Sequence, residues 1–295
     1  MKRFDFILVF SVILFLLLGT MPILNAQQKI KLWGERPMNH KMKRVDLTWY
    51  PADTSKNRNI SIIVCPGGSY AWLGMKHEGR EIGKWLSQEG INAFVLRYRV
   101  GMNGNHYPAM IQDLQESILY IKHNAAQFGV DTARVGLIGF SAGGHLVGVA
   151  ATYPEVNYLE PLGIIPDVSL RPAFIAMIYP VVSMQDSIVH KRSRFFLLKP
   201  KYSKSLRDSM SLELNVKSSM PPVFMIQCHK DPTVDYRNSF WYDKALTKAG
   251  VPHYYRLYEE KGHGFGMNPN RAKAGAEAPY WYRDFLPWME QRLSN

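Results

Sequence analysis

The sequence predicts a mainly parallel β-sheet that is covered by helices on both faces. Short runs rich in β-branched residues, such as 60–65 and 134–140, alternate with segments of helical spacing, such as 108–128. This alternation is typical of βαβ units. The chain has 295 residues, of which 46% are hydrophobic and 20% are charged. This composition excludes a disordered or fibrous protein, and the length is sufficient for a large buried core.

Residues 1–26 have the pattern of a secretory signal peptide. Lys2 and Arg3 precede an apolar run over 6–18, and the small residue Ala26 stands at its exit. A basic head, an apolar stretch of this length and a small residue at the cleavage point define such a signal. A retained membrane anchor is the alternative. We expect cleavage after Ala26, export to the periplasm or the medium, and no stable membrane partner afterwards.

Residues 27–295 are expected to form one catalytic domain, because no linker long enough to separate two domains interrupts them. The predicted strands are 60–65, 91–98, 134–140, 173–179, 223–228 and 253–258, and the predicted helices are 78–89, 108–128, 142–151, 239–249 and 280–293. Segment 183–219 breaks the alternation, since it is polar and basic and lacks the periodicity of a strand. Long connections are often functional, and we interpret this one as a cap-like insertion. A solvated surface excursion is the alternative.

The chain carries a formal net charge of +12, which raises the question of a nucleic-acid partner. Its Lys and Arg residues are scattered along the sequence and form no basic stripe of the kind that tracks a phosphate backbone. We therefore expect no nucleic-acid partner. A basic surface still attracts anionic polymers through long-range electrostatics.

A nucleophilic serine is predicted within the pentapeptide Gly139-Phe140-Ser141-Ala142-Gly143, which has the pattern G-x-S-x-G. A predicted strand precedes this pentapeptide and a helix of small residues follows it, which is the context that gives the pattern its meaning. The turn needs small neighbours because its backbone is strained. The N-terminus of the following helix favours negative charge that develops beside the serine.

A serine hydroxyl needs a base, and the base needs an acid that orients it. In this arrangement both follow the nucleophile, with the acid first. Asp231 comes just after the strand 223–228, and His263, flanked by Gly262 and Gly264, follows the strand 253–258. Asp235 is a competing acid, but we expect it in the first turn of the next helix, which is a common structural position for Asp.

Backbone N–H groups for an oxyanion are predicted at two places. The run Pro66-Gly67-Gly68-Ser69-Tyr70 follows the first central strand, and its glycines permit close approach and unusual dihedral angles. The N–H of Ala142, directly after the candidate nucleophile, is the second expected donor.

These motifs together resemble a known family. They are Pro66-Gly67-Gly68-Ser69-Tyr70, the elbow extended by Gly144-His145-Leu146, Asp231-Pro232-Thr233-Val234, and Gly262-His263-Gly264-Phe265. They are similar to those of α/β-hydrolase esterases of the hormone-sensitive-lipase-like and bacterial acetylxylan-esterase group, over about residues 45–293. The usual oxyanion loop of that group is His-Gly-Gly-Gly. Here Pro66 replaces the histidine and Ser69 the last glycine, as in the carbohydrate-esterase branch.

The resemblance implies an α/β-hydrolase fold with a mainly parallel eight-stranded sheet in the order 1-2-4-3-5-6-7-8 and a short insertion after strand 6. It places the nucleophile, acid and base on Ser141, Asp231 and His263, and the loop amides on Gly68 and Ser69. Cys65 and Cys228 would end strands 3 and 7, roughly 14 Å apart at about 4.8 Å per strand spacing. A disulfide needs Cα atoms within about 7 Å, so two buried free thiols are expected.

We interpret the chain as an exported serine carboxylesterase that needs neither a metal nor an organic cofactor. The resemblance implies that its substrate is a small acyl ester or an acetylated glycan, with acetyl groups removed from plant-type polysaccharide fragments. Tyr70 and Trp72 beside the oxyanion loop are candidates for stacking on sugar rings, although such aromatics often pack in cores. A peptidase, a lipase or a non-catalytic glycan-binding protein on the same fold are the alternatives, and the sequence leaves the oligomeric state open.

Overall fold

The computed structural model describes residues 27–34, 44–271 and 276–294. The predicted signal peptide, residues 1–26, lies outside these ranges. Within them no helix combines the length and the hydropathy that crossing a bilayer requires.

Eight strands form one sheet, and their order in space is β1-β2-β4-β3-β5-β6-β7-β8. β2 runs antiparallel to β1 and to β4, and every other neighbouring pair is parallel. The strands are β1 (Gln28–Lys31), β2 (Asp46–Tyr50), β3 (Ser61–Cys65), β4 (Asn92–Arg97), β5 (Val135–Phe140), β6 (Ile175–Ile178), β7 (Val223–Cys228) and β8 (His253–Tyr258). The predicted sheet order is therefore confirmed.

Helices cover both faces of the sheet, as predicted. They are α1 (Glu81–Gln88), α2 (Ala109–His123), α3 (Ala125–Phe128), α4 (Ala142–Thr152), α5 (Lys191–Leu198), α6 (Lys204–Ser209), α7 (Arg237–Ala249) and α8 (Tyr282–Leu293). The apolar sides of α2, α4 and α7 pack in one core, and those of α1 and α8 pack in the other. Alternate residues of a strand enter opposite cores: Ile63 packs with α2 and α4, whereas Ile62 packs with α1 and α8.

Two predicted helices differ from the observed ones by more than two residues at one end. The predicted helix 108–128 is divided at Asn124, where the side-chain amide donates to the Tyr120 carbonyl at 2.8 Å and the backbone leaves the helical region. The predicted helix 78–89 begins earlier, as a π-helical turn over Met75–Arg80 that continues into α1. Turns of this kind are frequent at functional sites, and this one brings Glu78 behind the loop after β3.

The segment 183–219 packs against the rest of the protein and contains α5, α6 and a 3₁₀ turn at Leu212–Leu214. Its apolar side chains Leu197, Leu198 and Leu212 are buried. The buried Asn238 of α7 accepts the N–H groups at the start of the segment through its side-chain oxygen. This packing does not support a purely solvated excursion.

Both cysteines lie at the ends of central strands. Cys65 ends β3 and Cys228 ends β7, with β5 and β6 between them. Both are buried free thiols, which confirms the prediction that no disulfide joins them.

Candidate active site

Ser141 occupies the sharp turn between β5 and α4. Its backbone has φ 52° and ψ −116°. Residues other than glycine rarely adopt this conformation, which costs on the order of 1–3 kcal/mol. The turn is held on both sides: the Ser141 N–H donates to the Ile178 carbonyl at 3.0 Å, and its carbonyl accepts from the Val181 N–H at 3.1 Å. These two hydrogen bonds hold the strained backbone in place, and the Ser141 hydroxyl therefore lies at the carboxyl edge of the sheet.

Two glycines make this turn possible. A β-carbon on Gly139 would lie 2.1 Å from the carbonyl oxygen of Gly143, and one on Gly143 would lie 2.0 Å from the carbonyl oxygen of Cys65. Both contacts are with backbone, which cannot move aside as a flexible side chain can. The small residues of the pentapeptide are therefore required by the close approach of α4 to the strand ends.

The structure brings the three predicted side chains together at the carboxyl ends of the strands. His263 Nε2 lies 3.0 Å from Ser141 Oγ, and His263 Nδ1 lies 2.8 Å from Asp231 Oδ2. The Ser141 hydroxyl can therefore donate to Nε2 while the Nδ1–H group donates to the carboxylate. This is the geometry in which an imidazole takes a proton from a serine.

Asp231 is fixed by donors from its own loop and strand. Its Oδ1 accepts the N–H groups of Thr233 and Val234 at 2.7 and 2.9 Å, and Gln227 Nε2 donates to Oδ2 at 2.9 Å. One oxygen of the carboxylate thus anchors the turn, whereas the other faces His263. This division of contacts orients the acid toward the imidazole.

Asp235 does not take part in this chain of hydrogen bonds. Both of its carboxylate oxygens accept from the Arg237 guanidinium, at distances from 2.6 to 3.0 Å. The predicted position in the first turn of the helix is wrong, because α7 begins at Arg237 and Asp235 precedes it. Asp235 instead accepts the Arg237 N–H at 2.9 Å, which fixes the entry into the helix.

The loop after β3 approaches Ser141 closely. A β-carbon on Gly67 would lie 2.9 Å from Ser141 Cβ. Gly68 has φ +134°, and Ser69 has φ +59°, so the loop follows a path that favours glycine at one position and is strained at the next. Within the described part of the chain, the N–H groups of Gly68, Ser69 and Ala142 donate to no protein acceptor.

Glu78 lies behind this loop and was not predicted from the sequence. Its side chain is only 3% exposed, Oε2 accepts the Gly67 N–H at 2.9 Å, and Oε1 accepts from the Tyr179 hydroxyl at 2.8 Å. Because the Gly67 N–H is taken by Glu78, it is not available to a substrate. The predicted oxyanion amides of this loop, those of Gly68 and Ser69, are not taken by Glu78.

Tyr179 extends this contact to the histidine loop. Its hydroxyl accepts the Gly266 N–H at 3.0 Å, and its ring lies 4.8 Å from the His263 ring. Tyr179 follows β6 and has φ +40°. Glu78 and Tyr179 thus join the loops after β3, β6 and β8. No motif marks either residue, because their relation depends on contacts between segments about 100 positions apart.

The predicted role of Tyr70 in substrate binding is wrong. Tyr70 has no exposed surface, and its hydroxyl lies 2.8 Å from His145 Nδ1. Nε2 of the same imidazole lies 2.7 Å from the Met210 carbonyl, so the Nε2–H donates there and Nδ1 accepts from Tyr70. Burial lowers the pKa of His145 to about 4, and the imidazole is therefore neutral at neutral pH. Trp72 is 50% exposed, and its role stays a prediction.

The segment 183–219 contributes a second histidine to the neighbourhood of the site. His190, at the start of α5, places Nδ1 2.7 Å from the Ser193 hydroxyl. Burial lowers the pKa of His190, and the nearby His263 lowers it further. The segment therefore reaches the surroundings of the His263 imidazole, which its polar sequence did not reveal.

Comparison with known proteins identifies the family of this chain. The BD-FAE family matches residues 46–246, which is more than half of the chain. The chain belongs to the BD-FAE family. The chain is 31% identical over 211 residues to an acetylxylan esterase of Xylanibacter ruminicola, and the match covers 70% of this chain and 41% of that relative. Endo-1,4-beta-xylanase B of Butyrivibrio fibrisolvens is 29% identical over 206 residues, covering 69% of this chain and 32% of the relative. The chain thus matches less than half the length of either protein.

Solved structures extend the similarity over the whole domain. An acetyl ester-xyloside bifunctional hydrolase from Caldicellulosiruptor lactoaceticus has a TM-score of 0.80 and 29% identity, and the match covers 92% of this BD-FAE chain and 98% of that one. A carboxylesterase from Lactobacillus plantarum has a TM-score of 0.70 at 22% identity, covering 90% and 97%, and this likeness shows the fold alone. The predicted α/β-hydrolase fold and the resemblance to the acetylxylan-esterase group are confirmed.

Proposed function

We propose that the protein is a serine carboxylesterase that removes short acyl groups from carbohydrate. The observation that carries the proposal is the continuous chain of hydrogen bonds from Ser141 Oγ through His263 to Asp231, with distances of 3.0 and 2.8 Å. The relatives named as an acetylxylan esterase and an acetyl ester-xyloside hydrolase support an acetylated glycan as the substrate.

In the proposed first step Ser141 Oγ attacks the ester carbonyl carbon while His263 Nε2 accepts the hydroxyl proton. Asp231 holds the Nδ1–H and stabilises the imidazolium ion. Collapse of the tetrahedral intermediate breaks the bond to the alcohol oxygen, which takes the proton from Nε2. An acyl-enzyme ester on Ser141 remains.

In the second step His263 accepts a proton from water, and the resulting hydroxide attacks the acyl carbon. The proton then returns to Ser141 Oγ as the carboxylic acid leaves. In both steps the carbonyl oxygen becomes negatively charged. The amides of Gly68, Ser69 and Ala142, which have no protein acceptor among the described residues, are the groups we assign to stabilise that charge.

The proposal is tested with p-nitrophenyl esters of increasing chain length. We expect fast turnover of the acetate by the purified protein and loss of turnover in Ser141→Ala, by about 10³-fold or more. Circular dichroism of both proteins serves as the folding control. Preference for long chains would favour a lipase over the proposed enzyme, and equal activity of the two proteins would overturn the assignment of Ser141.

We also propose that the protein is exported, on the strength of the basic head and apolar run in residues 1–26. Expression of the full chain in a Gram-negative host tests this. N-terminal sequencing of the exported protein is expected to begin at Gln27. Recovery of the intact chain in the membrane fraction would favour the retained anchor instead.

A further inference from the structure

A cavity of about 570 Å³ lies beside the loop that carries Gly68 and Ser69. Ligand sites in proteins typically have volumes of roughly 300–1,000 Å³. Its walls are the segments that follow two neighbouring parallel strands: residues 71–73 after β3, and residues 97–105 at and after the end of β4. Of the residues that line it, only Trp72 is predicted from the sequence to contact the substrate.

The cavity and the proposed oxyanion loop share one turn. The Trp72 N–H donates to the Gly68 carbonyl at 3.1 Å, and a β-carbon on Gly68 would lie 2.1 Å from the Trp72 carbonyl oxygen. A group that occupies the cavity therefore lies next to the turn that would hold the reacting carbonyl. This closeness makes the cavity a candidate for a part of the substrate other than the acyl group.

The charge of the cavity wall is positive. Arg44, Arg97 and Arg99 line it, and none of its described lining residues is acidic. Arg99 is neutralised, because its Nε donates to both oxygens of the buried Asp113 at 3.0 Å. Arg44 is exposed, and among the described lining residues it and Arg97 are the cations that a ligand can meet.

Arg97 is only partly engaged. Its Nε lies 3.4 Å from Asp46 Oδ2, and the same oxygen also pairs with Lys29 Nζ at 3.0 Å. One carboxylate thus faces two cations. The Arg97 side chain is 43% exposed, and its terminal nitrogens are able to donate to a carboxylate in the two-point manner that guanidinium favours.

Apolar surface stands beside these cations. The indole of Trp72 is 50% exposed and Met102 is 65% exposed, and both line the cavity. One face of a pyranose ring carries mainly C–H groups. An indole that stacks on this face removes apolar surface of both rings from water, which favours binding. Asn103 supplies amide groups of the kind that bind sugar hydroxyls.

Resting on the esterase function proposed above, we infer that this cavity is a subsite for a sugar that carries a carboxylate, a uronic acid residue next to the acylated sugar. The indole of Trp72 takes the ring, and Arg97 and Arg44 take the carboxylate. A neutral sugar would offer no negative charge to Arg44, or to Arg97, which shares the Asp46 carboxylate with Lys29. The enzyme therefore selects acetylated oligosaccharides with acidic substituents over neutral ones of the same length.

The test compares two acetylated xylotetraoses, one bearing a single glucuronic acid and one without it. We expect the wild-type protein at low ionic strength to have about 10-fold higher kcat/KM for the acidic substrate, and we expect this preference to shrink in 0.5 M salt because exposed charges are screened. Arg97→Gln and Trp72→Ala are expected to bring the ratio close to one. Arg97→Lys keeps the charge but loses the two-point contact, and it is expected to retain part of the preference for the acidic substrate.

Two controls keep the result interpretable. Lys84→Gln removes one exposed positive charge from α1, away from the lining residues, and is expected to keep the wild-type ratio. Hydrolysis of p-nitrophenyl acetate by Lys84→Gln is expected to stay within about twofold of the wild type, and circular dichroism serves as the folding control for Arg97→Gln, in which Asp46 keeps Lys29 as a partner. An equal ratio for the two substrates in the wild type, or an unchanged ratio in Arg97→Gln, would overturn the subsite.

Binding measured without turnover separates the subsite from the esterase proposal. Calorimetry on Ser141→Ala is expected to show tighter binding of the deacetylated acidic xylotetraose than of neutral xylotetraose. If p-nitrophenyl acetate is not hydrolysed but this difference persists, the esterase function fails and the subsite stands. If turnover is normal and the two ligands bind equally, the subsite alone fails.

Discussion

The carboxylate of Glu78 accepts the N–H of Gly67 at 2.9 Å, from a position that is almost fully buried behind the loop after β3. The second oxygen accepts from Tyr179, whose hydroxyl in turn accepts the Gly266 N–H. His77 Nε2 lies 3.9 Å from Glu78 Oε1. Burial lowers the pKa of the His77 imidazole, so this imidazole is expected to be neutral at neutral pH. The carboxylate thus ties the loop of the proposed oxyanion amides to the loop that carries His263.

We expect Glu78→Gln to lower kcat for p-nitrophenyl acetate by roughly 10- to 100-fold, because a shift of about 1 Å in a positioned group has effects of this size. An amide can accept the Gly67 N–H, but its NH₂ group then faces a Tyr179 hydroxyl that already accepts from Gly266. KM is expected to change little. A trifluoromethyl ketone, which forms an oxyanion on the serine, is expected to bind more weakly by a similar factor.

Tyr179→Phe provides the matched comparison, since it removes the hydroxyl between Glu78 and Gly266 and keeps the ring on His263. The two substitutions are expected to be non-additive in kcat, because each breaks the same connection. A loss of thermal stability with unchanged kcat and unchanged ketone affinity would show that Glu78 is purely structural.

Asp231→Asn is expected to reduce kcat by about 10³- to 10⁴-fold with little change in folding, because an amide at this position no longer holds the Nδ1–H tautomer of His263. Asp235→Asn is the control, since it changes a neighbouring acid whose carboxylate is bound by Arg237. Its activity is expected to stay within about twofold. The assay is steady-state hydrolysis of p-nitrophenyl acetate, and an equal effect of the two changes would contradict the assignment.

Gly143→Ala is expected to destabilise the protein by on the order of 3 kcal/mol or more, because the new methyl group would lie 2.0 Å from the Cys65 carbonyl oxygen. Gly148→Ala tests the same helix without a backbone clash. There the nearest atoms are the ends of the Leu212 and Met177 side chains, at 2.4 and 3.1 Å, which are able to move. Its effect is expected to stay within about 1 kcal/mol, since alanine also favours the helix. Urea unfolding measures both, and similar losses would contradict the backbone explanation.

The buried His145 predicts a loss of stability in mild acid. Its pKa is about 4 in the folded protein and about 6.5 in an unfolded chain. The unfolded state therefore binds the extra proton first, and the free energy of unfolding falls as the pH is lowered from about 6.5 toward 4. The full effect is on the order of 3 kcal/mol.

His145→Gln removes this titration and can keep a donor toward the Met210 carbonyl. The difference in unfolding free energy between the wild type and this variant is expected to shrink between pH 7 and pH 4, because only the wild type loses the His145 contribution. Urea unfolding at several pH values measures the difference. Parallel curves across this range would show that the imidazole is not held neutral by its burial.

Local sequence determined the elements that meet at the site. The β-branched runs before Gly67 and Gly139 predict buried strands. A serine between Gly139 and Gly143 fits a turn where the backbone approaches its neighbours too closely for side chains. The order of Ser141, Asp231 and His263, each after a strand, places them at one sheet edge once the strands are parallel. These inferences need only periodicity, residue size and chain order.

Tertiary structure alone decided which side chains face each other across segments distant in sequence. Tyr70 stands beside the proposed oxyanion loop in the sequence, which suits a contact with a sugar, but its hydroxyl lies 2.8 Å from the buried His145 of α4. Glu78 looked like an ordinary residue at a helix start, yet it holds Gly67 and Tyr179 together. Hydrogen bonds between such segments depend on the angles at which loops leave the sheet. Those angles are fixed by packing of the whole domain and not by the nearest neighbours of any one residue.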